Sequence, residues 1–218
     1  MKKIVAVFVL MSMSVVVFAQ APKQELKRPP MKQSNVKRAL DRYVSVWDTC
    51  ANNTTRAKIY EGFDRLAAAD TTNFYGQYYA AYIDAESGFL YFDTLRKQEV
   101  YTRALGYSDK AIKLSPKDAE PIILKAHILR LMANHNDSLS ADHKAKIKKL
   151  IAEAKKIDAT NPRLYLVMGD ELLAEGNKKE AMKNYKLASD ALKASKSEEF
   201  LKPHWGADEL KRSMAKAQ

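Results

Sequence analysis

Four histidines, one cysteine and a few adjacent carboxylates are the residues of this 218-residue chain whose types suit catalysis or metal binding. His127, His135 and His143 recur every eighth residue, and His204 stands apart. A helical zinc site needs ligands three or four residues apart on one face, and here a polar stretch interrupts the series, so no metal is expected. The lone Cys50 excludes a disulfide scaffold and any site built from two to four thiolates. Asp170-Glu171 and Glu198-Glu199 read as solvated or capping groups rather than an acid–base pair. No Gly-x-Ser-x-Gly, Gly-x-Gly-x-x-Gly or P-loop is present, and 7 glycines leave little room for phosphate-cradling loops. The expectation is a protein without catalysis and without a cofactor.

The elements that carry these residues belong to an ordinary globular chain. Its composition is 46% apolar and 29% charged, with 7 prolines and a net charge of +11, too apolar for a disordered polyampholyte. Lys2 and Lys3 open the chain, an apolar run follows from Ile4 to Val17, and Val17-Phe18-Ala19 precedes Gln20. That is the pattern of a secretory signal peptide over residues 1–19, cleaved near Ala19. The run falls short of the roughly 20 residues that span a bilayer. Its removal lowers the net charge by two, and no later run approaches membrane length, so the mature chain is expected not to span a membrane. Residues 20–33 hold Pro22, Pro29 and Pro30 and four basic residues against one acid, and read as a flexible basic leader. Export leaves Cys50 two readings, a small buried apolar residue or a thiol paired with another chain.

From Ser34 onward the apolar residues recur at three and four, and no segment alternates as a strand would, so the mature chain is all-α. Val36, Leu40, Tyr43, Trp47 and Cys50 mark one face of a first helix. Asn52-Asn53-Thr54 breaks it, and Ile59, Phe63 and Leu66 continue on a second helix ending near Asp70. A Tyr- and Ala-rich helix spans Phe74 to Leu90, and Asp93 caps another that Ser115-Pro116 stops. Asp118 caps a helix with Pro121 in its first turn; the polar run Asn134–Ser140 leads to a helix bearing Ile147, Leu150, Ile151 and Ala154. Asn161-Pro162 starts the next, and Glu175-Gly176-Asn177 turns the chain into its partner, with Asn177 and Glu180 at capping-box spacing. Short turns between consecutive helices predict stacked antiparallel hairpins.

Within Pro162–Ala188, Tyr165, Met168-Gly169 and Leu172 are followed, past the Gly176-Asn177 turn, by Ala181, Tyr185 and Ala188. This arrangement resembles a tetratricopeptide repeat, in which small residues let two helices approach and an aromatic fills the gap to the next hairpin. A second, longer copy runs from Asp118 to Pro162, with Ala126 at the small position, and a degenerate third from Thr72 to Pro116 carries Ala104, Ser108 and Ala111. The resemblance implies an α-solenoid: repeats over 71–196, a hairpin over 34–70 that is a divergent repeat or an N-terminal cap, and a C-terminal cap over 197–218. The tail Pro203-His204-Trp205-Gly206 is similar to a Pro-x-Trp-Gly element of exported bacterial proteins built on this repeat, and Trp205 is expected to anchor the last hairpin.

The inner face of such a solenoid is its usual binding surface. By the resemblance it presents Ile123, Leu124, His127, Arg130 and Leu131 from one copy and Leu166, Val167, Asp170 and Leu173 from the next. These side chains either meet a partner or pack against neighbouring helices. The basic and Asn clamp that one class of this repeat uses for a terminal carboxylate is absent, and a largely apolar groove suits an extended or helical peptide. Lys144, Lys146, Lys148, Lys149, Lys155 and Lys156, with Lys178, Lys179, Lys183 and Lys186, form either a solvated convex face or an attraction for an anionic partner. Asp93-Thr94-Leu95 and Asp137-Ser138-Leu139 resemble an acceptor tripeptide for bacterial O-glycosylation of exported proteins. The expected function is an exported, periplasmic or secreted scaffold that binds another protein or a peptide segment in the cell envelope, and not nucleic acid. The alternative is a carrier that binds an anionic envelope glycan or lipid through the basic faces and the helix of Tyr75, Tyr78, Tyr79 and Tyr82.

Overall fold

The computed structural model describes residues 33–49, 53–91, 93–133, 140–194, 201–203 and 205–218, which form helices and no strand. The expectations for residues 1–32, Cys50, His135, Asp137-Ser138-Leu139, Glu198-Glu199 and His204 lie outside the described residues. Nine α-helices are described: α1 (Gln33–Thr49), α2 (Asn53–Ala69), α3 (Phe74–Ser87), α4 (Thr94–Leu114), α5 (Ala119–Ala133), α6 (Ser140–Ile157), α7 (Pro162–Ala174), α8 (Lys178–Ala194) and α9 (Ala207–Ala217). None is long and apolar enough to cross a membrane.

Local chemistry sets the boundaries. Asn73, Asp93 and Asn161 each accept a backbone N–H of the first turn they precede, and Asp118 accepts that of Glu120 at 2.9 Å. Gly176 turns α7 into α8 with φ +81°, a left-handed conformation that suits glycine, while Asn177 N–H returns to the Leu172 carbonyl at 2.9 Å. The helix expected over Phe74 to Leu90 instead changes to a 3-10 turn at Gly88–Leu90, where Gly88 lies against the Tyr101 ring of α4.

Four antiparallel hairpins (α1–α2, α3–α4, α5–α6, α7–α8) stack in chain order. The first helices of the hairpins also touch in sequence, α1 to α3 to α5 to α7, and α9 closes the row against α7 and α8. The result is an all-α solenoid of the tetratricopeptide type. A buried small residue, Ala81, Ala126 or Gly169, lies eight positions after the caps Asn73, Asp118 and Asn161, which places the 72–116 copy in register with the others. Behind Gly169 the fit is tight: an added Cβ would come within 2.5 Å of the Tyr185 ring. The buried stripe of α1 is Val36, Leu40 and Val44, whereas Tyr43 and Trp47 are half-buried. In α3 every residue from Gly76 to Ala85 is buried, because helices and the C-terminal segment surround it.

Candidate functional site

Three residues of the first helices define the middle of the inner face. Tyr78 of α3, Glu120 of α5 and Arg163 of α7 meet there, each near its helix N-terminus. Arg163 Nε donates to both Glu120 oxygens at 3.0 and 2.8 Å, and the pair is nearly buried. Burial works against the Arg163 charge, yet the Glu120 carboxylate overrides it and holds its pKa above the ordinary arginine value. Asn161 donates to Glu120 at 2.7 Å, and Tyr78 Oη donates to it at 3.2 Å. Burial foremost, then Glu120, pushes the Tyr78 phenol well up, so it stays neutral.

Onto this platform the C-terminal segment is laid. Arg163 Nη1 donates to the Trp205 carbonyl at 3.1 Å and Nη2 to that of Pro203 at 2.6 Å, while Tyr79 Oη donates to the carbonyls of Leu201 and Lys202. Trp205 Nε1 donates to Tyr78 Oη at 2.6 Å; its ring stacks on Tyr82 at 5.5 Å and meets His127 at 5.1 Å. Trp205 is 5% exposed. Gly206, at φ +115°, turns the chain into α9 and donates to Glu209, whose other oxygen accepts from Tyr82 Oη. Trp205 therefore anchors the tail across three hairpins and not the last one alone. The reason is chemical: its indole N–H needs a buried acceptor, and α3 offers one in Tyr78.

Each of the nine residues expected to line the groove is buried or half-buried. His127 and Leu166 lie against Trp205 and Gly206, and Arg130 pairs with Asp170 at 3.2 Å. Ile123, Leu124, Leu131 and Val167 belong to the core, and Leu173 packs on it half-buried. The groove drawn open from the sequence has its middle filled by the chain's own tail, and Tyr78, Tyr79 and Tyr82 hold that tail instead of forming an open surface. Of the residues assigned to repeat packing, Ala181, Tyr185 and Ala188 are fully buried, Tyr165 and Leu172 half-buried. Tyr185 Oη donates to Asp170 at 2.8 Å. His143 is buried within α6. The described lysines of α6 and α8 are exposed, and Lys148 bridges to Glu175 at 2.7 Å.

A cavity of about 370 Å³ opens between α1–α2 and the tail. Its walls carry five aromatic rings, Trp47, Phe63, Tyr79, Tyr82 and Trp205, with two arginines, Arg56 and Arg212, and three acids, Glu86, Asp208 and Glu209. Arg56 lies over the Trp47 ring at 5.3 Å, and Arg212 approaches Glu86 and Glu209 at 3.6 and 3.5 Å. Both tryptophans of the chain line it. Sequence reasoning did not assemble Arg163, Glu120 or this cavity. The signal present was the opposite charge of Glu120 and Arg163, each two residues after its helix cap in consecutive repeats.

No protein-family model matches the chain, and no curated protein is similar to it in sequence. Solved structures that share its fold include two of similar length. The HusA haemophore from Porphyromonas gingivalis superposes with a TM-score of 0.71 at 20% identity, over 86% of this chain and 96% of the haemophore. TTC0263, a tetratricopeptide-repeat protein from Thermus thermophilus, superposes with a TM-score of 0.56 at 15% identity, over 84% of this chain and 87% of that protein. The chain thus has an all-α solenoid fold of the tetratricopeptide type.

Proposed function

We propose that the chain is an exported, non-enzymatic carrier whose inner cavity takes a planar aromatic anion of the porphyrin class. The observation that carries this reading is the cavity wall of five aromatic rings, beside which Arg56 and Arg212 stand with the acids Glu86, Asp208 and Glu209. Flat rings stack on aromatic side chains, and guanidinium groups pair with carboxylates such as the two of a natural porphyrin. Its volume falls within the range of small-molecule sites. The shared fold of a haemophore over nearly its full length supports the same class. Among the described residues of the wall, tyrosine is the one type that serves as an axial ligand to haem iron. Tyr79 Oη is engaged by the carbonyls of Leu201 and Lys202, and Tyr82 Oη by Glu209. Recognition therefore rests on the ring system and its carboxylates, with no bond to iron.

Because both tryptophans line the cavity, their fluorescence reports on occupancy. Titration with haem and with metal-free protoporphyrin is expected to quench it with dissociation constants within a few-fold of each other, and Arg56→Glu with Arg212→Glu to weaken both. Absence of quenching, or binding of haem alone, would overturn the proposal. Export rests on the pattern of residues 1–19, and a protein beginning at Gln20 outside the cytoplasm, periplasmic or secreted, is the expected mass-spectrometric result.

A second reading is a protein-interaction scaffold in the cell envelope. It is supported by the way the inner face already holds part of its own chain through the main-chain carbonyls of Leu201, Pro203 and Trp205. A pull-down from envelope extract that retains a stoichiometric protein at moderate salt would favour it, and retention of anionic glycan alone, lost as salt rises, would instead favour the lysine faces.

A further inference from the structure

A cavity of about 580 Å³ lies in the groove between α1 and α2. Arg38 and Arg42 of α1 and Lys58 and Arg65 of α2 line it, and among the described residues no acidic one does. Arg65 reaches an exposed partner, Glu61, at 3.7 Å. Arg38, Arg42 and Lys58 are exposed and make no ion pair among the described residues. Other exposed cations of the fold do find acids, as Lys148 finds Glu175 and Lys183 finds Glu180. The floor is apolar but slight: Ala39 and Val46 are half-buried and Ile59 is 4% exposed.

Charge narrows the occupant. The chain's own preceding segment, residues 20–33, carries four cations and one acid, so it cannot neutralise the groove. A second copy placed symmetrically would set the same cations against themselves. The apolar floor is too small to hold a partner helix, whose groove binding draws on an apolar face. Three or four cations converging over a shallow apolar strip instead match a phosphate on a glycerol backbone: arginine forks bind phosphate bidentately, and the strip receives the first carbons beneath it. We propose that the α1–α2 groove binds the phosphate headgroups of acidic phospholipids and seats this end of the solenoid on a lipid surface. The proposal is independent of the porphyrin reading, since it involves neither tryptophan-lined wall nor tail.

The test is co-sedimentation of the mature protein with phosphatidylcholine vesicles that contain or lack 30% phosphatidylglycerol, a composition chosen for the assay. Binding is expected only with the acidic lipid and only at low salt. The triple variant Arg38→Gln, Arg42→Gln, Lys58→Gln is expected to lower partitioning by roughly tenfold or more. A triple variant of exposed α6 lysines, Lys146→Gln, Lys149→Gln, Lys156→Gln, carries the same charge change elsewhere and is expected to retain most of it. No binding to acidic vesicles, or an equal loss in both triple variants, would overturn the proposal. Displacement of the protein from vesicles by millimolar glycerol 3-phosphate would assign the groove to a free phosphate ester and overturn the lipid source. Circular dichroism of both variants should match the parent, since every substituted side chain is exposed.

Discussion

Trp205→Ala tests the tail's place in the fold. The side chain is nearly buried, so its removal forfeits the transfer energy of an indole and leaves a cavity bounded by Tyr82, His127 and Arg163. Such truncations cost about 3 to 5 kcal/mol. Tyr78 loses its indole donor but keeps its own bond to Glu120, so the polar addition is small. For a chain of this length about 4 kcal/mol lowers Tm by roughly 8 to 16 °C. Trp205→Phe keeps an aromatic ring against Tyr82 and loses the N–H donor, and should cost about 1 to 2 kcal/mol. Urea unfolding followed by circular dichroism measures both. Amide exchange locates the effect: because Trp205 bridges α3, α5 and α7, protection is expected to fall in α3 as well as in α7. An unchanged midpoint, or a loss of protection confined to α7–α9, would refute the argument that the tail ties distant hairpins together.

Other substitutions check the remaining packing and charge. Gly169→Ala drives a Cβ into the Tyr185 ring and to 3.2 Å from the Ala181 carbonyl, for a loss of about 1 to 3 kcal/mol, while Gly106→Ala, with nothing within 4 Å, should gain roughly 0.5 to 1 kcal/mol; urea midpoints moving in the same direction would contradict this. Arg163→Met strands Glu120 in a buried site and frees the carbonyls of Pro203 and Trp205, so about 3 to 5 kcal/mol is expected, with Glu120→Gln added on top costing less than it does alone; strictly additive losses would dissolve the pair. Asp84 and Asp64 share the half-exposed Arg103, and burial, aided by the Asp64 charge, pushes the Asp84 carboxyl up to about 8. The folded chain then keeps a proton that the unfolded chain releases near pH 4, so this residue's contribution to stability is lost as pH rises from about 4 to about 8. The stability difference between wild type and Asp84→Asn should decline with pH across that window, and a rise would overturn the sign.

Helix ends were legible in the sequence because their causes are local. Asp93, Asp118 and Asn161 cap where their side chains suit a first turn, and Pro116 and Pro162 stop and start helices by removing backbone options. The α7–α8 repeat was legible for a related reason, since its close approach demands small residues at fixed spacing. The inner face was not, because its closure depends on contacts between residues far apart in the chain. Trp205 meets Tyr78 across 127 positions, and no window of sequence contains both. Tyrosine also conceals its role: Tyr78, Tyr79 and Tyr82 look like a surface stripe until the carbonyls, the indole and the carboxylate they serve are in place.

The tie between tail and inner face bears on the order in which the protein matures. A stack of hairpins ordinarily gains stability as each repeat is added to the last, so the early part of the chain completes itself first. Here the final lock for α3 is supplied by Trp205 and Glu209, each 127 positions beyond the tyrosine it meets. Until they arrive, Tyr78, Tyr82 and His127 lack the ring that covers them, and a contact of such high sequence separation forms slowly. α3 thus stays loosened until a segment far along the chain has docked, so this stack is not completed one neighbouring repeat at a time.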